Sequence, residues 1–310
     1  MQYISTRGEA PSLGFADAML AGLARDGGLY VPDAWPRLDA AAIAAFAGRS
    51  YAEVAVEIIR PFTDNSLGAD LARLAREAYG NFRHPAVAPL SQLGVNTFLL
   101  ELFHGPTLAF KDLAMQLLAR LMDHALAARG ERRTIVVATS GDTGGAAVEA
   151  FRDRRQVDLV VLFPQGRISD VQRRMMTTSG AGNVSAIAIE GTFDDCQAIV
   201  KGMFGHHGFR EQARLSGVNS INWARIVAQV VYYFTAAVAL GAPARKFAFA
   251  VPTGNFGDIY AGYVAARMGL PIDRLIVATN VNDILARTLA TGTYEPRAVV
   301  PTSSPSFDGW

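Results

Sequence analysis

From residue 97 onward, short apolar runs alternate with stretches of helical period. Runs rich in Val, Ile, Leu and Phe at 98–103, 134–138, 158–163, 184–189, 247–251 and 275–278 predict strands. Between them, apolar positions recur at steps of three and four, which predicts helices near 108–124, 144–152, 169–178, 193–204, 221–240, 258–268 and 282–290. Strand, helix, strand repeated this often predicts an α/β fold with a mostly parallel sheet covered on both faces. Residues 1–90 read differently. They show helical patterns at 13–25, 39–47, 50–60 and 67–80 and no strand pattern, predicting a small helical N-terminal domain ahead of a core over 91–310. Asp26-Gly27-Gly28 and Pro32-Asp33 punctuate its first helix as turn residues, and Pro85 and Pro89 mark the boundary.

Composition narrows the function classes. The 310 residues are 50% hydrophobic and 18% charged, enough apolar surface for a large buried core and too much for a disordered chain. A net charge of +1 lacks the basic excess that nucleic acid or an anionic lipid surface demands. The single cysteine, Cys196, excludes an internal disulfide framework and a Cys-rich zinc site, which fits a reducing compartment. The first residues carry no basic segment followed by an apolar one, so no secretory signal is expected and the cytoplasm is the expected location. The apolar stretch from Ile226 to Ala242 is shorter than the about 20 residues a bilayer requires. Arg225 and Arg245 bracket it, and it reads as a buried helix.

In sheets of this kind ligands bind beyond the carboxyl ends of strands, and three such turns carry chemistry. His104-Gly105-Pro106-Thr107-Leu108-Ala109-Phe110-Lys111-Asp112 follows the first strand, with Thr107 as an expected N-cap and Lys111 in the first helical turn. Leu108, Lys111, Met115, Leu118 and Met122 form one stripe and Phe110, Leu113, Leu117 and Leu121 another, so the helix reads as buried all round. Burial and a positive helix end both disfavour an ammonium and favour the neutral amine that Schiff-base chemistry requires. A lysine snorkelling from a helix end fits the same pattern. Pro252-Thr253-Gly254-Asn255-Phe256-Gly257-Asp258 has the glycines of a phosphate cradle at a helix start. Thr139-Ser140-Gly141-Asp142-Thr143-Gly144-Gly145 suits a second anion such as a carboxylate, and it lacks the lysine of a nucleotide P-loop. Ordinary capped turns fit both spacings too. Gly180-Ala181-Gly182 precedes a strand, so it is no dinucleotide fingerprint. His206 and His207 read as solvated residues, not as metal ligands, and no Gly-x-Ser-x-Gly elbow is present.

Together the three turns describe a pyridoxal-phosphate enzyme, and their wording resembles the signature segments of the threonine synthases. Asp26-Gly-Gly-Leu-Tyr-Val-Pro32, Asn219-Ser-Ile-Asn222 and Ala278-Thr-Asn-Val-Asn-Asp283 support the resemblance, which runs in order over nearly the whole chain. It implies the type II pyridoxal-phosphate fold: two parallel-sheet lobes, the smaller at about 127–216, with the active site between them. It implies that Lys111 holds pyridoxal 5'-phosphate. Gly254, Asn255, Phe256, Gly257 and Asp258 match the cofactor-phosphate segment, with Asp112 and His104 lining the ring. Thr139, Ser140, Gly141, Asp142, Thr143 and Gly144 match the loop that holds substrate.

The implied reaction converts O-phospho-L-homoserine and water to L-threonine and phosphate. Phosphate leaves from the γ carbon, water adds at the β carbon, and Lys111 moves protons at the α and β carbons. A dehydratase or β-replacement synthase of the same fold, and a non-catalytic scaffold that binds a phosphorylated metabolite, are the alternatives. The resemblance also predicts an incomplete larger lobe. Threonine synthases continue well beyond the segment matched by Ser304-Pro305-Ser306-Phe307-Asp308, and that continuation supplies the hydroxyl facing the pyridine nitrogen, whereas this chain ends at Trp310. Exposed apolar surface is the expected consequence. The residues that bind the substrate phosphate are not assigned from sequence.

Overall fold

In the computed structural model, which describes residues 1–63, 67–219, 222–300 and 302–304, the chain opens with strands that the hydrophobic pattern does not announce. Strand β1 (Tyr3–Ser5) pairs antiparallel with β2 (Tyr30–Pro32) across helix α1 (Phe15–Ala21). Three residues are too few to leave a period-two signature. Long-range pairing makes these strands, and the Tyr3 hydroxyl donating to the Phe62 carbonyl pins the first of them. Helices α2 (Ala40–Ala44), α3 (Tyr51–Ile59) and α4 (Asp70–Tyr79) follow as their periods predict. A reciprocal capping box between Ser50 and Glu53 starts α3.

Strands β3 (Leu90–Gly94) and β4 (Thr97–Leu100) form an antiparallel hairpin, so the apolar run at 98–103 ends three residues early and belongs to no parallel sheet. Helix α5 (Asp112–Arg129) then crosses the interior and stops at Gly130, whose φ of 63° gives the left-handed cap. Next come β5 (Arg133–Ala138), α6 (Asp142–Phe151), β6 (Val157–Pro164), α7 (Asp170–Thr177), β7 (Val184–Ile189), α8 (Phe193–Gly205), α9 (His207–Gln212) and β8 (Leu215–Ser216). Their strands make one parallel sheet in the order β7-β6-β5-β8. Helix α9 and the two-residue β8 escaped the pattern, because neither is long enough to show a period. The remainder is α10 (Trp223–Ala239), β9 (Phe247–Pro252), α11 (Gly257–Arg267), β10 (Ile272–Ala278) and α12 (Ile284–Thr291), with β9 and β10 parallel. Ser220 and Ile221 of the fourth signature segment, the first position expected for α10, and Pro305, Ser306, Phe307 and Asp308 lie outside the described residues.

One continuous apolar core runs from Tyr3 to Leu270 and joins α1, α3 and α4 to α5, α10 and α11. Trp223 sits at its centre, with the rings of Tyr3, Trp35 and Phe62 at 6.2, 6.0 and 5.5 Å. Helix α10 is therefore a core helix, and among the described residues no helix is long and apolar enough to cross a membrane. A smaller core beneath α8 contains Cys196, Phe204 and Val136. The β9–β10 pair is less covered than the central sheet: Ile276 stays 43% exposed, whereas Val157 and Val161 of β6 are fully buried.

Candidate active site

Lys111 stands at the cap position of α5, one residue before the helix begins, and its side chain is 8% exposed. The expected Thr107 cap is not formed, because the bonding runs the other way. The Asp112 carboxylate accepts from the Thr107 N–H at 2.7 Å and from its hydroxyl at 2.8 Å, drawing the loop onto the helix start. A Cβ on Gly105 would lie 2.5 Å from Asp112, so the glycine makes this closure possible. Leu108 consequently leaves the buried stripe, with φ of 61° and half its surface exposed. Asp112 itself is fully buried, and burial pushes its carboxyl up to about 6 against the Thr107 bonds.

Burial lowers the Lys111 amine below the ordinary lysine range. The Asp142 carboxylate, 3.4 Å from Nζ, opposes that fall, while the Arg225 guanidinium adds to it; Asp258 acts on the side of Asp142. The ammonium position also lies 4.8 Å from the centre of the Phe110 ring. The amine is thus lowered by burial and tuned by groups drawn from α6, α10 and α11. Three of the 29 basic residues are lysines (Lys111, Lys201 and Lys246), and only Lys111 is buried.

After β9, Thr253 is buried and its hydroxyl donates to the Asp258 carboxylate while accepting from the Phe256 N–H at 3.1 Å. Asp258 also accepts from the Ile259 N–H at 2.8 Å, and burial raises its carboxyl. Phe256 adopts a left-handed conformation with φ of 63°, turning the chain into α11. Within the described residues no hydrogen bond takes the N–H groups of Gly254, Asn255 and Gly257. Those groups, at the start of an 11-residue helix, suit an anion; Asp258 faces inward and holds the turn.

After β5, the buried Thr139 hydroxyl accepts from the N–H groups of Gly141 and Gly144, at 2.9 and 2.8 Å. Thr139 is therefore occupied with its own loop. Asp142 opens α6 and points one carboxylate oxygen at Lys111 and the other at Gln172, whose amide donates at 2.7 Å. Ser140 is partly exposed, as are Asp142 and Thr143. His104 is turned toward Glu101 at 2.7 Å and lies against the rings of His84 and Phe103, away from Lys111's hydrogen bond to Asp142.

A cavity of about 230 Å³ lies beside these turns, bordered by Thr143, Asn255, Arg225 and Asn219 on one side and by Phe193, Val200, Lys201 and Phe204 of α8 on another. Lys111 does not line it and approaches through Asp142, next to Thr143. Two polar groups here were missed from sequence. Arg225 is 4% exposed, gives one N–H to the Val218 carbonyl at 3.1 Å, and has a buried Nε with no partner. Burial lowers its guanidinium to about 10, against the pull of Asp258. The Oδ1 of Asn219 is likewise buried and unpartnered. The available signal was an arginine heading a run of otherwise buried residues, since such a charge requires a reason to be there. No cluster of His, Cys, Asp and Glu suited to a metal occurs among the described residues.

Comparison with known proteins bears on these features. Residues 2–79 match the family model described as threonine synthase N terminus, and residues 82–309 match that of pyridoxal-phosphate dependent enzymes. Threonine synthase of Pseudomonas aeruginosa is 58% identical over 99% of this chain and 66% of its own length. The Methylobacillus glycogenes enzyme of that name is 44% identical over 99% of this chain and 68% of its own. Among solved structures, the pyridoxal-phosphate-bound threonine synthase of Brucella melitensis is 65% identical, with a TM-score of 0.94 over 99% of this chain and 67% of that one. The chain spans about two thirds of the length of these relatives.

Proposed function

The chain belongs to the threonine synthase family, and from that premise we propose that it takes pyridoxal 5'-phosphate on Lys111 and converts O-phospho-L-homoserine and water to L-threonine and phosphate. The observation that carries this reading is the buried Lys111 amine, lowered by desolvation, hydrogen-bonded to the Asp142 carboxylate of one helix-start turn and acted on by Asp258 of another. The cofactor, when bound, supplies an electron sink for carbanions at the substrate's α and β carbons. Its phosphate fits the N–H groups of Gly254, Asn255 and Gly257, while Asp258 and Phe256 shape that turn. The Lys111 amine is the group to carry protons at the two carbons, because it is the buried base whose pKa desolvation lowers. Ser140 and Thr143 are suited to the substrate carboxylate; Thr139, Gly141 and Asp142 hold that loop and the amine. Arg225, with an unpartnered Nε beside the cavity, is suited to the substrate phosphate, and Asn219 borders the same space. Asp112 sets the approach of the 105–107 loop, and His104 flanks it.

The same reading divides the chain into an N-terminal segment over residues 1–90 and a catalytic core over 91–310, with a smaller lobe at about 127–216. The two family models meet at residues 79 and 82, and the four-stranded sheet falls within the smaller lobe, which supports that division. A lone buried cysteine agrees with action in the reducing cytoplasm.

The test is to mix the chain with pyridoxal phosphate, reduce with borohydride, and find the modified residue by mass spectrometry, with phosphate release from O-phospho-L-homoserine measured in parallel. Modification confined to Lys111, and phosphate release that falls about 10³-fold or more in Lys111→Ala, are the expected results. Modification only of Lys201 or Lys246 sinks the cofactor assignment. A Lys111 adduct without phosphate release sinks the activity alone.

A further inference from the structure

Gln172, on the first turn of α7, lies outside every signature segment, yet its carboxamide is fixed at both ends. Its Oε1 accepts from the Ser169 N–H at 3.2 Å and from the Ser169 hydroxyl at 3.0 Å, completing the reciprocal cap of α7. That leaves its Nε2 to donate, and it does so to Oδ1 of Asp142 at 2.7 Å. The second oxygen of the same carboxylate faces Lys111 Nζ at 3.4 Å. Gly141 adds an independent mark of the arrangement. A Cβ there would lie 2.3 to 2.5 Å from the Gln172 amide group, so the loop backbone closes directly over it.

We propose that Gln172 is a positioning residue, its carboxamide holding the Asp142 carboxylate against the Lys111 amine. The choice of amide over acid is chemical. Glutamate serves equally well at this place in a capping box, but it would set a carboxylate where Asp142 requires a donor. Gln172 has no polar contact with Lys111 itself; it acts by fixing Asp142. The groups that face the amine are Asp142 from α6, Arg225 from α10 and Asp258 from α11. Of their carboxylates, Asp142 is the one hydrogen-bonded to the amine. Losing its hold therefore weakens the ammonium.

The test reads the amine itself and requires no cofactor, so it is separate from the proposed activity. The 310-residue chain labelled with 13C-lysine gives Cε signals from three lysines, assigned with Lys201→Arg and Lys246→Arg, and each is followed through a pH titration. Gln172→Met removes the donor. Asp142 then loses that hold, and the Lys111 midpoint is expected to fall by about one pH unit. Gln172→Glu keeps the cap of α7 and sets a second carboxylate beside the pair, so the midpoint is expected to rise by about as much. A role confined to capping α7 leaves the Lys111 midpoint unmoved in Gln172→Met. Midpoints unmoved in both variants overturn the proposal, as does a lower melting temperature in Gln172→Met with the Lys111 midpoint unchanged.

Discussion

The turns after β5 and β9 share one plan and end with opposite polarity. Each begins with a buried threonine just past its strand, each curls through a positive φ, and each opens a helix. In the first, the Thr139 hydroxyl absorbs two backbone N–H groups, and the residue that opens the helix turns a carboxylate toward Lys111. In the second, the Thr253 hydroxyl accepts one N–H and gives its proton to Asp258, which draws the acid inward and leaves three N–H groups for a ligand. One turn thus presents a negative group to a base and the other a positive rim to an anion. The direction of a single hydroxyl proton separates them.

The largest effect that breaks this comparison is expected at Gly141. With φ of 135° and no space for a Cβ, Gly141→Ala strains the backbone and displaces Gln172, costing about 3 kcal/mol in urea unfolding. Next come the paired substitutions Thr139→Val and Thr253→Val. Each loses a buried acceptor, and unfolding measured across pH is expected to show a deficit of about 2 kcal/mol. The deficit at Thr139 is expected to be flat, since no titrating group loses a partner. At Thr253 the hydroxyl's donation lowers a carboxyl that burial raises. Its removal raises the Asp258 pKa further, so the deficit grows as pH rises through the carboxyl range, where the unfolded state has already released its proton. Equal pH dependence in the two variants would break the distinction. The smallest effect is expected at Phe256→Gly: the left-handed φ is eased while chain entropy is lost, so stability moves by less than about 1 kcal/mol. A large loss there would mean that the Phe256 side chain, not the turn, holds the second site together.

Much of the frame was legible because it rests on periodicity. Strands β5, β6, β7 and β9 and helices α5 and α6 lie within a few residues of their apolar runs, which are largely buried in β5, β6, α5 and α6 and alternate between covered and exposed in β7 and β9. Strands β1, β2 and β8 were not legible, because two or three residues become a strand only when a distant partner arrives. At the site, Lys111 and the two turns were legible as residue types at strand ends. The facing of Thr139, Asp142 and Asp258 was not, because it depends on backbone angles at Gly141 and Phe256 that spacing does not encode. His104 matched a motif by position, yet its ring is taken up by Glu101. Arg225 looked like the polar bracket of an apolar helix and proved to be part of its buried face. Gln172 had a readable sign in Ser169-x-x-Gln172, but only the folded chain brings Asp142 to it.

The aromatic cluster around Trp223 also sets an order of events during synthesis. Tyr3 and Phe62 emerge from the ribosome long before the tryptophan that they pack against, and the Met19 carbonyl waits for the Asn222 side chain 203 residues later. The first segment therefore cannot complete its packing while the four-stranded sheet is being made, and its apolar side chains remain open to solvent or to a chaperone. Release from the ribosome before α10 has formed leaves the N-terminal segment without its central partner. Residues translated before the sheet are among the last to be locked.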